Sequence, residues 1–209
     1  FTARRTREAT GGEPLRLVFL GRLVPYKGCD MALAAAEPLL KSGRATFDVF
    51  GNGPEMAKLR AMTEGWPGVT LHGNVPHEQL SGRLAAMDLL VFPSIREFGG
   101  AVVLEAMAVG LPSLIVDYGG PGDLLTPHTG WAVPMSDRPG IINAVRRQLE
   151  AVDADRAAID RKGAAGTERV ASEFTWTAKA SRTIESYRWV LGDATKPAWG
   201  EPGSSDDGS

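Results

Sequence analysis

Four glycine-rich segments, at 21–28, 51–54, 97–100 and 119–122, each follow a short apolar run, and this pairing constrains the fold more than any other feature. The runs lie at 15–20, 46–50, 88–92 and 112–116, with 69–71 as a further short strand and 131–134 as a last one. Short apolar runs bounded by glycine and proline read as buried strands. Between and after them, apolar residues recur at helical spacing over 30–41, 55–64, 78–86, 100–109, 137–151, 153–172 and 175–191. Strand and helix therefore alternate. The alternation predicts an α/β fold, a Rossmann-like parallel sheet with helices on both faces. Ligands of such sheets bind at the carboxyl ends of the strands. The four glycine segments are expected to gather there, along one edge.

The segment from Glu97 to Glu105 carries the most chemistry. A buried strand feeds the turn Phe98-Gly99-Gly100, and the turn opens a helix at Ala101-Val102. That geometry aims free N–H groups and a helix's positive end at one point, which suits phosphate. Phosphate repels carboxylate, so the two flanking acids suit sugar hydroxyls. The stretch reads as a cradle for a nucleoside diphosphate sugar. At ~1.5 Å per residue, Glu105 lies about 7–8 Å along the helix from Gly100. That length is comparable with the span from a hexose across a diphosphate to a ribose. The plainer reading makes Glu97 a helix-start acid and Glu105 an exposed helical residue. The apolar neighbours Ala101, Val103, Leu104, Ala106 and Met107 predict instead a buried Glu105 in need of partners.

Gly21-Arg22-Leu23-Val24-Pro25-Tyr26-Lys27-Gly28 begins where the first strand ends. Arg22 can grip two phosphate oxygens with its planar fork, and Lys27 adds a mobile point charge. The alternative is two solvated cations on a surface loop. Phe50-Gly51-Asn52-Gly53-Pro54 and His72-Gly73-Asn74-Val75-Pro76 either pass close to a nucleobase or are ordinary turns. Gly119-Gly120 either admits the sugar or diphosphate or makes a simple tight loop. His77 is expected to begin a helix.

The net charge of −2 implies no broad basic surface, so no nucleic-acid partner is expected. No apolar run approaches the ~18 residues of a membrane span. His72, His77, His128 and the lone Cys29 show no metal-ligand spacing, and neither a metal nor a cofactor is expected. A single cysteine fits a reducing cytosol, so the expected location is cytoplasmic. Residues 1–14 read as a linker, 15–191 as a nucleotide-sugar-binding domain, and 192–209 as a disordered tail.

The ordered series of motifs resembles the carboxyl-terminal, donor-binding half of a retaining glycosyltransferase of family 4, with the two-lobed (GT-B) fold. The matching residues are Gly-Arg-Leu-x-Pro-x-Lys-Gly at 21–28, Phe-Gly-x-Gly-Pro-Glu at 50–55 and His-Gly-Asn-Val-Pro at 72–76. Glu97 and Glu105, and Gly119-Gly120 before Thr129-Gly130-Trp131, complete the series, which runs from Leu15 to Leu191. The resemblance implies a donor linked to UDP, GDP or ADP. It assigns Arg22 and Lys27 to the diphosphate, Glu97 to the transferred hexose, and Glu105 to the ribose. Gly21, Gly53, Val75, Phe98, Gly99, Gly100, Ala101 and Val102 would line the donor site. Transfer would proceed with retention and without a metal. The resemblance also implies a missing amino-terminal acceptor lobe, across which the last helix would pack and through which any membrane association would arise. The chain alone is then expected to bind donor but to transfer poorly. Two departures stand out: Glu97-Phe98-Gly99-Gly100 where the family has Glu-Gly-Phe-Gly, and Asp123 where it often has Glu. The rival expectations are a nucleotide-sugar epimerase or phosphorylase lobe on the same scaffold, and a non-catalytic binding module completed by a partner chain. A dehydrogenase is disfavoured, because no Gly-x-Gly-x-x-Gly follows the first strand.

Overall fold

Leu15–Leu20 (β1) lies beside Ala45–Phe50 (β2) in parallel register, Leu15 opposite Ala45 and Leu20 opposite Phe50. Val69–Gly73 (β3), Leu89–Phe92 (β4), Ser113–Asp117 (β5) and Gly130–Pro134 (β6) complete one all-parallel sheet in the order β3-β2-β1-β4-β5-β6. The order reverses between β1 and β4. The computed structural model describes residues 12–197. Within it the chain separates into two compact units, one ending at Thr167 and one beginning at Glu168.

The central strands are buried on both faces, as their unbroken apolar runs require: all four residues of β4 are buried, and five of the six in β1. Phe19, Phe47, Phe50 and Phe92 are the largest side chains of this core. The helices joining the strands cover it. They are Cys29–Lys41 (α1), Met56–Met62 (α2), His77–Ala85 (α3), Ala101–Ala108 (α4) and Gly119–Leu124 (α5), followed by Arg138–Ala154 (α6) and Ala157–Arg169 (α7). Right-handed crossovers on either side of the reversal place α1 on one face and α4 on the other. The expected Rossmann-like architecture is present.

Element boundaries differ from the sequence expectation in instructive places. The 119–122 segment is not a plain loop but the start of α5, with Pro121 in the first turn, where a missing N–H costs nothing. The expected helix over 153–172 is two elements, α7 and a π-helical turn at Val170–Phe174. That turn belongs to the second unit with Trp176–Val190 (α8), where Thr175 caps α8 by accepting from the Ala178 amide at 3.2 Å. Trp176, Ile184, Tyr187, Val190 and Leu191 are exposed there. Of the expected linker and tail, 1–11 and 198–209 lie outside the described residues, while 12–14 and 192–197 form neither helix nor strand.

Candidate functional site

The tips of β1, β2 and β3 are tied by main-chain hydrogen bonds that run past the strands. The Gly21 amide donates to Phe50 O at 3.0 Å, Leu23 to Asn52 O at 2.9 Å, and Gly51 to Gly73 O at 2.8 Å. Glycine is required at two of these places because the neighbouring backbone is so near. A Cβ on Gly51 would lie 1.9 Å from Gly21 O, and one on Gly53 2.3 Å from Leu23 O. The ladder leaves an open cleft of about 270 Å³ lined by Gly21, Arg22, Gly51, Asn52, Asn74 and Val75 over a floor of Leu20, Phe50 and Leu80. Arg22 is exposed at its mouth and makes no ion pair with any described residue.

The second part of the site spans the reversal of strand order, where α/β sheets bind ligands. Pro25–Lys27 forms a 3-10 turn ended by Gly28 in the left-handed region, φ +72°. A Cβ on Gly28 would meet Pro93 O at 2.5 Å, so only glycine lets this turn sit against the β4 tip. The Tyr26 carbonyl accepts from the Ile95 amide at 2.9 Å, and the Ser94 hydroxyl lies 3.3 Å from it. This seam carries Lys27 across to Glu97, and their side chains form an ion pair. Lys27 Nζ also stands 5.2 Å from the centroid of the Phe92 ring. The open cleft here, about 550 Å³, is lined by Tyr26, Lys27, Arg96, Glu97, Phe98 and Tyr118.

The turn after Glu97 rests on α5. A Cβ on Gly119 would lie 2.6 Å from Glu97 O, and one on Gly120 2.2 Å from Phe98 O. Gly119-Gly120 thus first admits the chain's own backbone. Gly100, at φ +61°, caps α4, and the amides of Ala101 and Val102 donate to no described residue. Those two N–H groups and the helix's positive end are free for an anion. Phe98 stands clear of the turn and is 99% exposed.

Glu105 departs from expectation. α4 buries Val103, Ala106 and Met107, and leaves Glu105 half-buried with no hydrogen bond from any described residue. Burial pushes its carboxyl above the usual 4.5, against the opposing field of His77. His77 itself is the first residue of α3.

The structure thus brings Gly21, Arg22 and Val75 to one cleft, and Lys27, Glu97 and Phe98 to the other. Gly99, Gly100, Ala101 and Val102 follow Phe98 directly into α4, Gly53 is spent on the contact with Leu23, and Glu105 lines neither cleft. Tyr26, Arg96 and Tyr118 are wall residues to which the sequence reading assigns no role. Their one signal is position: each adjoins a predicted site residue or glycine at a strand end. Among the described residues no cluster of three or more His, Cys, Asp or Glu could hold a metal ion.

Known proteins share this architecture. The pneumococcal O-GlcNAc transferase solved with UDP and GlcNAc superimposes with a TM-score of 0.70 at 22% identity, over 91% of this chain and 38% of that one. The carboxyl-terminal domain of a glycosyl transferase group 1 family protein from Francisella tularensis gives 0.67 at 19% identity, over 78% of this chain and 89% of that one. In sequence, the chain is 32% identical over 196 residues to the glycogen synthase of Mycobacterium tuberculosis, covering 90% of this chain and 44% of that protein. The chain therefore spans less than half the length of that relative. The family model for glycosyl transferases group 1 matches residues 14–151, and the chain belongs to that family.

Proposed function

We propose that this chain is the donor-binding, carboxyl-terminal lobe of a retaining glycosyltransferase of family 4. It holds a nucleoside diphosphate sugar while an amino-terminal lobe presents the acceptor. The observation that carries this reading is the Lys27–Glu97 pair at the reversal of strand order, with the turn after Glu97 leading to the unpaired Ala101 and Val102 amides that open α4. The nucleoside lies toward the cleft of Asn52, Asn74 and Val75, and the hexose toward Glu97. The share of the mycobacterial relative that is covered, and the fold shared with a carboxyl-terminal domain, support the assignment to one lobe of two.

The chemistry follows from charge. Breaking the bond between the sugar's anomeric carbon and the phosphate oxygen sends electrons to the leaving diphosphate and leaves positive charge on the ring. Lys27, Arg22 and the α4 amides stabilise the former, and such preplaced donors are commonly the largest contribution to catalysis. Retention without a covalent intermediate has the acceptor hydroxyl attack from the face the diphosphate leaves. The departing phosphate oxygen is then the nearest base for its proton. Glu97 orients the hexose by accepting from its hydroxyls, and Glu105 serves the ribose. The exposed apolar residues of α8 are the surface for the second lobe. A cytoplasmic setting belongs to the same reading, resting on the single, buried Cys29.

Calorimetric titration with UDP, GDP and ADP tests the donor site directly. One of the three is expected to bind well below millimolar concentration. Silence from all three at millimolar concentration would refute the proposal.

A further inference from the structure

Lys27 and Glu97 are 70 residues apart in sequence and are joined only by the adjacency of β1 and β4. Each side chain is 17% exposed. The ammonium sits above the Phe92 ring, so the pair rests on an apolar floor and is largely withdrawn from water. Arg96, the neighbouring cation, is turned toward Tyr26, its guanidinium carbon 5.9 Å from that ring's centroid. Among the described residues Lys27 is therefore the one cation that hydrogen-bonds Glu97. A carboxylate this far from water loses a charged partner at a cost unless another donor replaces it.

A diphosphate drawing on Lys27 competes with Glu97 for the ammonium and brings its own negative charge beside the acid. A nucleotide that carries a hexose supplies hydroxyl donors in exchange. A bare nucleoside diphosphate takes the lysine and supplies nothing to the acid. We propose that the Lys27–Glu97 ion pair makes this site discriminate between nucleotides that carry a sugar and those that do not. The pair holds the spent nucleoside diphosphate less tightly than the sugar nucleotide and displaces it by re-forming once the hexose has gone. Glu97 thereby acts as a specificity determinant against the product as well as a contact for the hexose. This inference rests on the donor site proposed above and adds to it a means of product release.

The test is a double-mutant cycle read by calorimetry with UDP, GDP and ADP, using whichever binds the wild-type chain most tightly. Glu97→Gln keeps the shape of the side chain and removes its charge. It is expected to tighten binding of the bare nucleotide by about tenfold, between the effects of exposed and of fully buried pairs. Lys27→Met is expected to weaken binding. In the Lys27→Met background, Glu97→Gln is expected to change affinity by less than about twofold, because no pair remains to be broken. A gain of the same size in both backgrounds would mean plain repulsion between carboxylate and diphosphate, and would overturn the inference. Wild-type affinity in Glu97→Gln would overturn it equally, while leaving the donor site standing. Absence of binding by wild type and Glu97→Gln alike would remove the donor site and this inference together. Glu97→Ala provides a second way to release Lys27, and thermal unfolding of every variant without nucleotide separates changes at the site from loss of the fold.

Discussion

Alanine at Gly120 probes the contact that shapes the cleft beside Glu97. Its Cβ would lie 2.2 Å from Phe98 O, 2.9 Å from the Phe98 carbonyl carbon and 3.0 Å from that of Gly99. All three are main-chain atoms, so no side chain can swing aside. Real Cβ contacts essentially never fall below 3.0 Å, so α5 and the 97–100 turn must part by about 0.8 Å. Overpacking that moves backbone costs about 1–3 kcal/mol. In a chain of this size each 1 kcal/mol lowers the melting temperature by about 2–4 °C. The effect on function is larger, because the displaced turn carries Glu97 and leads into the α4 amides. A shift of ~1 Å in a positioning element can cost on the order of 100-fold in rate. We expect nucleotide affinity to fall by about tenfold on the same grounds. Gly82→Ala in α3 is the control, since nothing lies within 4 Å of its Cβ. It is expected to stabilise the chain by about 0.5–1 kcal/mol through helix propensity and to leave affinity unchanged. Urea unfolding and calorimetry read both variants. Gly120→Ala with wild-type stability and affinity would refute the view that this glycine exists to let two backbone segments touch.

Other substitutions should separate stability from binding. Burial raises the Glu105 carboxyl, so the folded chain holds this proton more tightly than the unfolded chain, and its contribution to stability declines as pH rises from about 4.5 through the raised folded value. Glu105→Gln should therefore raise the melting temperature at pH 7 while weakening nucleotide binding, and equal affinity would remove Glu105 from the donor site. Asp30, at the start of α1, is buried and meets Arg138 Nη2 at 2.9 Å and Lys58 Nζ at 3.1 Å. Burial pushes its carboxyl up, but the hydrogen bonds and charges of Arg138 and Lys58 outweigh it and hold it below 3.8. The sign is opposite to that of Glu105: this stability is present above the unfolded value and is lost as pH falls through the depressed one. Asp30→Asn should thus lower the melting temperature at pH 7 and do so progressively less below pH 4, and a pH-independent difference would argue for packing rather than charge.

The strands are legible because residues such as Leu17, Val18 and Phe19 are apolar in succession within short runs bounded by glycine, the pattern of a sheet covered on both faces. The glycine loops at their ends followed from the fold class. What those glycines touch did not follow. Gly51, Gly53, Gly119 and Gly120 read either as room for a ligand or as ordinary turns, and the nearest atoms to each are carbonyls of the chain itself, from loops that meet only after folding. The same limit hid the Lys27–Glu97 pair, which depends on which strands become neighbours. Glu105 was misread for a different reason. Its apolar neighbours suggested full burial, but the helical repeat turns Val103, Ala106 and Met107 inward and leaves position 105 at the boundary. α5 escaped because its composition, Gly-Gly-Pro-Gly, speaks for a loop, and contact with the 97–100 turn prevails over that propensity.

The hydrogen-bonded ladder beyond β1 and β2 makes the 21–23 and 51–53 loops one splint rather than two independent hinges. An engineer wishing to retune the anion recognition proposed for Arg22 could vary the side chain freely, but could not lengthen or re-angle its loop without recasting the opposite one. Swapping in loops from other proteins should accordingly succeed when both segments are exchanged as a matched set and fail when either travels alone.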